Sequence, residues 1–211
     1  MNKNCFDLAC RRCDRLSDFL DDVKVKYPEY HARPVAPFGD KNAKLLVVGL
    51  APGMHGANAT GRPFTGDFAG ILLYETLFKF GFSNQSESTD RKDGLELINC
   101  RITNAVKCLP PENKPLTSEV NECNTFLENE LKLLKAGSVI IALGGIAHKA
   151  VIKAMQLRQS DFKFAHNAQF KLENDITFIS SYHCSRYNTQ TKRLTPKMFH
   201  AVFKKAQTLL N

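Results

Sequence analysis

Lys44-Leu-Leu-Val-Val-Gly-Leu50 runs into Ala51-Pro-Gly-Met-His-Gly-Ala-Asn-Ala-Thr-Gly-Arg-Pro-Phe-Thr-Gly-Asp67, and that into Phe68-Ala-Gly-Ile-Leu-Leu-Tyr-Glu-Thr-Leu-Phe-Lys-Phe80. The first run is short and apolar without alternation, which predicts a strand buried on both faces, as in a parallel sheet. The second is rich in Gly, Pro, Asn and Thr and suits a loop that brings backbone groups close to a ligand. In the third, Ile71, Leu72, Tyr74, Leu77 and Phe78 recur at helical spacing. Strand, loop and helix in that order are the unit of an α/β fold.

The unit repeats less cleanly outward from this stretch. Leu97–Val106 reads as a strand and Ser118–Leu134 as a helix; Ser138–Leu143 and Ile146–Leu157 follow in the same roles. Ile176–Ser181 is a fourth strand, before a closing helix from Pro196 to Leu210. The prediction is an α/β fold: one domain over residues 1–211, with a mainly parallel four-stranded sheet covered on both faces. In such sheets ligands bind beyond the carboxyl ends of the strands, which selects Ala51–Asp67, Lys107–Lys114 and Tyr182–Thr195. The polar stretch Ser83–Asp93 reads as a mobile surface loop.

At 211 residues, with 43% hydrophobic and 24% charged residues, the chain can bury one sizeable core. It has no apolar run of membrane-spanning length, and the opening MNKNCFDLACRRC has neither the apolar core nor the cleavage site of a secretory signal. A soluble, intracellular protein is expected, with a monomer as the default. The formal charge of +8 attracts polyanions, so nucleic acid heads the partner list. The Ala51–Asp67 loop has neither the Gly-Lys-Ser/Thr ending of a triphosphate loop nor a G-x-G-x-x-G spacing. Its Phe64, Asp67 and glycine-released amides suit a flat polar ligand instead.

In such a compartment seven cysteines argue for metal ligation or burial over disulfides. Cys10 and Cys13 form a C-x2-C pair, and Cys108 and Cys123 a C-x14-C pair. Four thiolates can hold zinc or an iron–sulfur cluster, and the spacing does not choose between them. Chance spacing of core thiols is the competing reading; Cys100, within a strand, is most simply core.

Three motifs carry a resemblance: Gly49-Leu-Ala-Pro-Gly53 through Asp67; Asn104-Ala-Val-Lys-Cys-Leu-Pro-Pro-Glu-Asn-Lys-Pro115 with Cys123 beyond it; and Ser181-Tyr-His-Cys-Ser-Arg-Tyr-Asn-Thr-Gln-Thr-Lys-Arg-Leu-Thr195. Together with the four cysteines, they resemble the motifs of family 5 uracil-DNA glycosylases over residues 10 to about 199. The neighbouring family 4 carries an acidic residue in its first motif, GEAPG, where this chain has Leu50. The resemblance implies an α/β/α sandwich, a structural [4Fe–4S] cluster on Cys10, Cys13, Cys108 and Cys123, and excision of uracil and other deaminated bases such as hypoxanthine from DNA. It places such an enzyme in the cytoplasm, with the nucleoid.

By the same pattern Phe64 stacks on the flipped base and Asn113 pairs with its amide edge. Gly49, Ala51, Pro52, Gly53 and His55 belong to the base pocket, and Ser185, Arg186, Asn188 and Arg193 contact DNA. The chemistry needs a donor where the leaving base gains negative charge and an anion or ordered water near the sugar. His183 suits the first role and Asp67 the second. Each has a plainer competitor: Asp67 precedes a helical run, where Asp is a preferred N-cap, Asn113 follows two prolines and suits a turn, and His183 could be a packing residue. Cys184 departs from relatives that carry proline or an aliphatic residue there. The rival class is a non-catalytic DNA-binding module stapled by its metal site.

Overall fold

The computed structural model describes residues 5–211. Met1–Asn4, the first residues of the opening stretch read above, lie outside them. Six strands form one sheet: β1 (Phe38–Gly39), β2 (Leu45–Gly49), β3 (Cys100–Asn104), β4 (Val139–Leu143), β5 (Gln169–Lys171) and β6 (Thr177–Ser181), in the order β1-β3-β2-β4-β6-β5. The expected four-stranded sheet is corrected by this count. Its four strands are the parallel centre β3-β2-β4-β6, and β1 and β5 are antiparallel edges. Both additions escape a pattern reading because they are two and three residues long, and in β5 only Phe170 turns inward.

The helices are α1 (Asp14–Lys26), α2 (Ala57–Thr60), α3 (Phe68–Lys79), α4 (Thr117–Leu131), α5 (Gly145–Ala154), α6 (Arg186–Gln190) and α7 (Pro196–Leu210). β2 shows how they form layers. Its side chains alternate across the sheet, as a pleat requires. Leu45 and Val47 meet Leu73 and Leu77 of α3 and Phe199 and Phe203 of α7, whereas Leu46 and Val48 meet Leu127 of α4 and Val151 of α5. Every residue of β2, β4 and β6 is buried. Each buried Val, Leu or Ile side chain contributes roughly 1.5–3 kcal/mol, which is why β2 and β4 read as unbroken apolar runs.

The chain goes from β2 outward to β3, then returns across β2 to β4 on its other side. That reversal opens a crevice at the carboxyl end of β2, where α/β sheets bind ligands. The loops after β2, β3 and β6 all leave the sheet at that end.

Candidate active site

The loop after β2 is shaped around Phe64. This residue is buried at a positive φ of 55°, a backbone conformation that side chains other than glycine rarely adopt. Two glycines make the room: a Cβ at Gly70 would collide with the Phe64 carbonyl oxygen, and one at Gly49 would stand 2.6 Å from the ring. The ring lies 6.0 Å from that of His183, with the planes inclined by 28°. His183 follows β6, and a Cβ at Gly144, just after β4, would stand 3.4 Å from the His183 Cβ.

Asp67 is the N-cap of α3. Its Oδ1 accepts the amide of Gly70 at 2.9 Å, while Oδ2 faces Gly53 and Gly56, where a Cβ would come within 3.6 and 2.7 Å. The two oxygens are thus divided between the helix terminus and the loop. Burial raises the Asp67 pKa above the ordinary carboxylate value, against the opposing pull of the Gly70 and Ala69 amides. Desolvation lowers that of His183 to about 4, so the ring is neutral near pH 7. Among the described residues the His183 ring has no hydrogen-bond partner, although its carbonyl accepts Asn188 Nδ2 at 2.8 Å.

Leu50, Ala51, Gly53, Phe64, Asp67, Ala69, Asn104, Asn113, His183 and Ser185 line one cavity of about 390 Å³. Asn104 is the residue that sequence reasoning passed over. It ends β3, is 3% exposed, and its Oδ1 has no hydrogen-bond partner. Buried amide oxygens are nearly always paired, so this one stands out as an acceptor that the protein itself leaves open beside the cavity. Its place in the second motif was visible, but a strand residue gives no sign of an open acceptor. Asn113 stands in a 3-10 turn, exposed, at a φ of 57°.

The remaining predicted residues stand around this cavity. Gly49 lies behind the wall, where a Cβ would strike both Asn104 Oδ1 and Phe64. Pro52 is buried next to the lining, and His55 is exposed outside it, its Nδ1 2.8 Å from the hydroxyl of Tyr30. Ser185 caps α6. Arg186 lies over the Phe68 ring at 5.1 Å beside an adjoining groove, and Arg193 over Tyr182 at 4.9 Å. Both arginines are exposed and Asn188 is half-buried.

A second, smaller cavity is lined by Cys10, Cys13, Cys108 and Cys123, with Leu16, Pro34, Val106 and Phe126 among its apolar walls. Cys13 is the N-cap of α1, Cys108 lies in the loop after β3, and Cys123 is on α4, its Sγ 3.3 Å from the Lys107 amide. Burial, reinforced by the neighbouring cysteines, raises the thiol of Cys13 to about 11 and that of Cys108 to about 12. Among the described residues no three His, Cys, Asp or Glu side chains gather closely enough to hold a single metal ion.

Residues 36–207 match the family model of the uracil DNA glycosylase superfamily. The chain belongs to that superfamily. A type-5 uracil-DNA glycosylase of Thermus thermophilus is 44% identical over 95% of this chain and 94% of the relative. One of Pyrobaculum aerophilum is 40% identical over 93% and 87%. A type-4 uracil-DNA glycosylase of Archaeoglobus fulgidus is only 28% identical, over 83% and 76%. Among uracil-DNA glycosylases the chain is therefore a type-5 member, in agreement with Leu50 in place of the family 4 acid.

Proposed function

We propose that this chain extrudes uracil from DNA and hydrolyses its N-glycosidic bond, leaving an abasic site. The observation that carries the reading is the convergence of Phe64, Asp67, Asn104 and His183 on one cavity at the carboxyl end of the sheet, in a chain of the type-5 glycosylases. A base inside a duplex cannot reach such a cavity, so it must be flipped out. The ring of Phe64 offers a stacking face. Asn104 Oδ1 accepts the N3–H of uracil, whereas cytosine carries no hydrogen there and would leave a buried oxygen unpaired, at a cost of roughly 1–3 kcal/mol. Asn113 adds a second amide at the mouth. The lactam N–H of hypoxanthine satisfies Asn104 equally, which supports the wider range of deaminated bases.

As the C1′–N1 bond breaks, negative charge grows on the departing uracil and positive charge on the sugar. Neutral His183 donates a hydrogen bond to the uracil O2 and stabilises the anion. The carboxylate of Asp67, through Oδ2, balances the sugar cation and orients the water that attacks C1′. The net charge of +8 draws DNA toward the protein, and exposed Arg186 beside the cavity is the first contact with its phosphates.

Single-turnover excision from a duplex with one uracil, run in EDTA beside Asn104→Ala, tests the reading. Wild type should form abasic sites, and the variant should lose at least ~10-fold in its preference for uracil over cytosine. No excision of uracil or hypoxanthine by wild type would favour the DNA-binding module instead.

We also place a [4Fe–4S] cluster on Cys10, Cys13, Cys108 and Cys123. The four thiols line one cavity from three separate parts of the chain, a donor set that fits a cluster or a zinc ion; the resemblance to the type-5 glycosylases favours the cluster. When bound, it supplies a cross-link between the start of α1, the loop that carries Asn113, and α4. Protein prepared without air should contain about four irons per chain. Cys108→Ser should lower both iron content and melting temperature; stoichiometric zinc without iron would overturn the assignment.

A further inference from the structure

The polar stretch Ser83–Asp93, read from sequence as a mobile loop, is tied to the base pocket. Asp93 and Arg62 form a buried ion pair, their side chains 7% and 6% exposed, with Arg62 Nη1 2.8 and 3.0 Å from the two carboxylate oxygens. The same carboxylate accepts the amides of Thr89 and Leu95 at 2.9 Å each. Ser88 Oγ lies 3.0 Å from Arg62 Nη1 and 2.6 Å from Thr65 Oγ1. From the opposite side Phe38 lies under the guanidinium at 4.7 Å, and the Tyr74 hydroxyl donates to the Pro63 carbonyl at 2.7 Å.

These contacts close on both chain neighbours of Phe64. A non-glycine residue at positive φ costs on the order of 1–3 kcal/mol and persists only where its surroundings over-determine it. Without the strap, the Arg62 guanidinium is left with the Phe38 ring and the Thr65 hydroxyl with the Pro63 carbonyl, so the loop is freer to relax toward an ordinary backbone and swing the Phe64 ring away from His183. A buried pair contributes little net stability against an apolar replacement, although removing one partner alone is costly, so the test rests first on Ser88, which leaves the pair intact. We propose that Ser88 and Asp93 are positioning residues that hold Arg62 and Thr65, and through them the Phe64 ring, against the base pocket.

The kinetic arm of the test rests on the glycosylase reading; the structural arm does not. Two readouts are taken on full-length protein: the nuclear Overhauser contact between the Phe64 and His183 rings, and the single-turnover rate on uracil-containing duplex. Ser88→Ala, which removes only one hydroxyl, should weaken the ring contact and slow excision ~10-fold at an almost unchanged melting temperature. Ser88→Thr, which keeps the hydroxyl, should restore both. Asp93→Asn should act in the same direction more strongly; if it fails to fold, Ser88→Ala decides alone. An undiminished ring contact in Ser88→Ala overturns the proposal. Wild type that excises no uracil would remove the glycosylase reading and leave the ring contact to decide this one.

Discussion

Asp67→Asn should slow single-turnover uracil excision by on the order of 10²–10⁴-fold, while DNA affinity and helix stability stay almost unchanged. The separation follows from the division of labour between the carboxylate oxygens. Oδ1 caps α3 through Gly70, and Asn is as good an N-cap as Asp, so the helix survives the exchange. What the amide lacks is negative charge beside the sugar and the capacity to take a proton from water. DNA affinity should be set elsewhere, by the net charge of +8 and by exposed residues such as Arg186 and Arg193. Asp67→Ala separates the two roles: it should lose a similar factor in rate and also about 1 kcal/mol of stability from the missing cap. Equal single-turnover rates for Asp67→Asn and wild type would end the catalytic assignment and leave Asp67 a cap alone.

The centre of this fold is legible in the sequence because its strands are buried on both faces. Lys44–Leu50, Ser138–Leu143 and Ile176–Ser181 contain β2, β4 and β6 almost to the residue, and the first two are apolar for the physical reason that helices cover both sides. β1 and β5 lie at edges, where three residues or fewer suffice and no apolar run is needed. α1 did leave a signal, since Leu16, Leu20 and Val23 lie on one helical face and are all buried, but the cysteine pair before it held the reading. The site divides in the same way. His183 stood out only through the motif that resembles the family's, whereas Phe64 and Asp67 stand in a long loop at a strand end and could be singled out from local sequence. The open acceptor on Asn104 and the strap on Arg62 could not, because each depends on pairings between distant segments: Asp93 lies 31 residues from Arg62 and presents itself in sequence as one more polar loop residue. Composition says that such a loop is solvated. Only the fold shows which of its charges is withdrawn from water.

His183→Ala should lower the single-turnover rate by ~10²–10³-fold, the usual loss for a donor aimed at developing negative charge. The pH dependence distinguishes a neutral donor from an imidazolium. With the folded pKa drawn down to about 4 by desolvation, the ring is uncharged throughout the neutral range. The titration of His183 should therefore leave no inflection in wild-type excision near pH 6.5, where an ordinary histidine would titrate. Excision should decline on the acid side as Asp67, whose pKa burial raises, loses its charge, and His183 adds to the decline only near pH 4. Stability responds in a different window. Between about 6.5 and 4 the unfolded chain binds a proton that folded His183 refuses, so this residue's contribution is intact above 6.5 and is lost as pH falls toward 4. His183→Ala should accordingly flatten the fall in melting temperature across that window while lowering the rate at every pH. An imidazolium mechanism predicts the reverse, with activity rising as pH drops through 6.5, and that result would replace the neutral donor with a charged one. The neutral form is the better match to the chemistry: a cation held 6.0 Å from the Phe64 ring, in a cavity that must also accept an uncharged base, would have to be desolvated at every binding event.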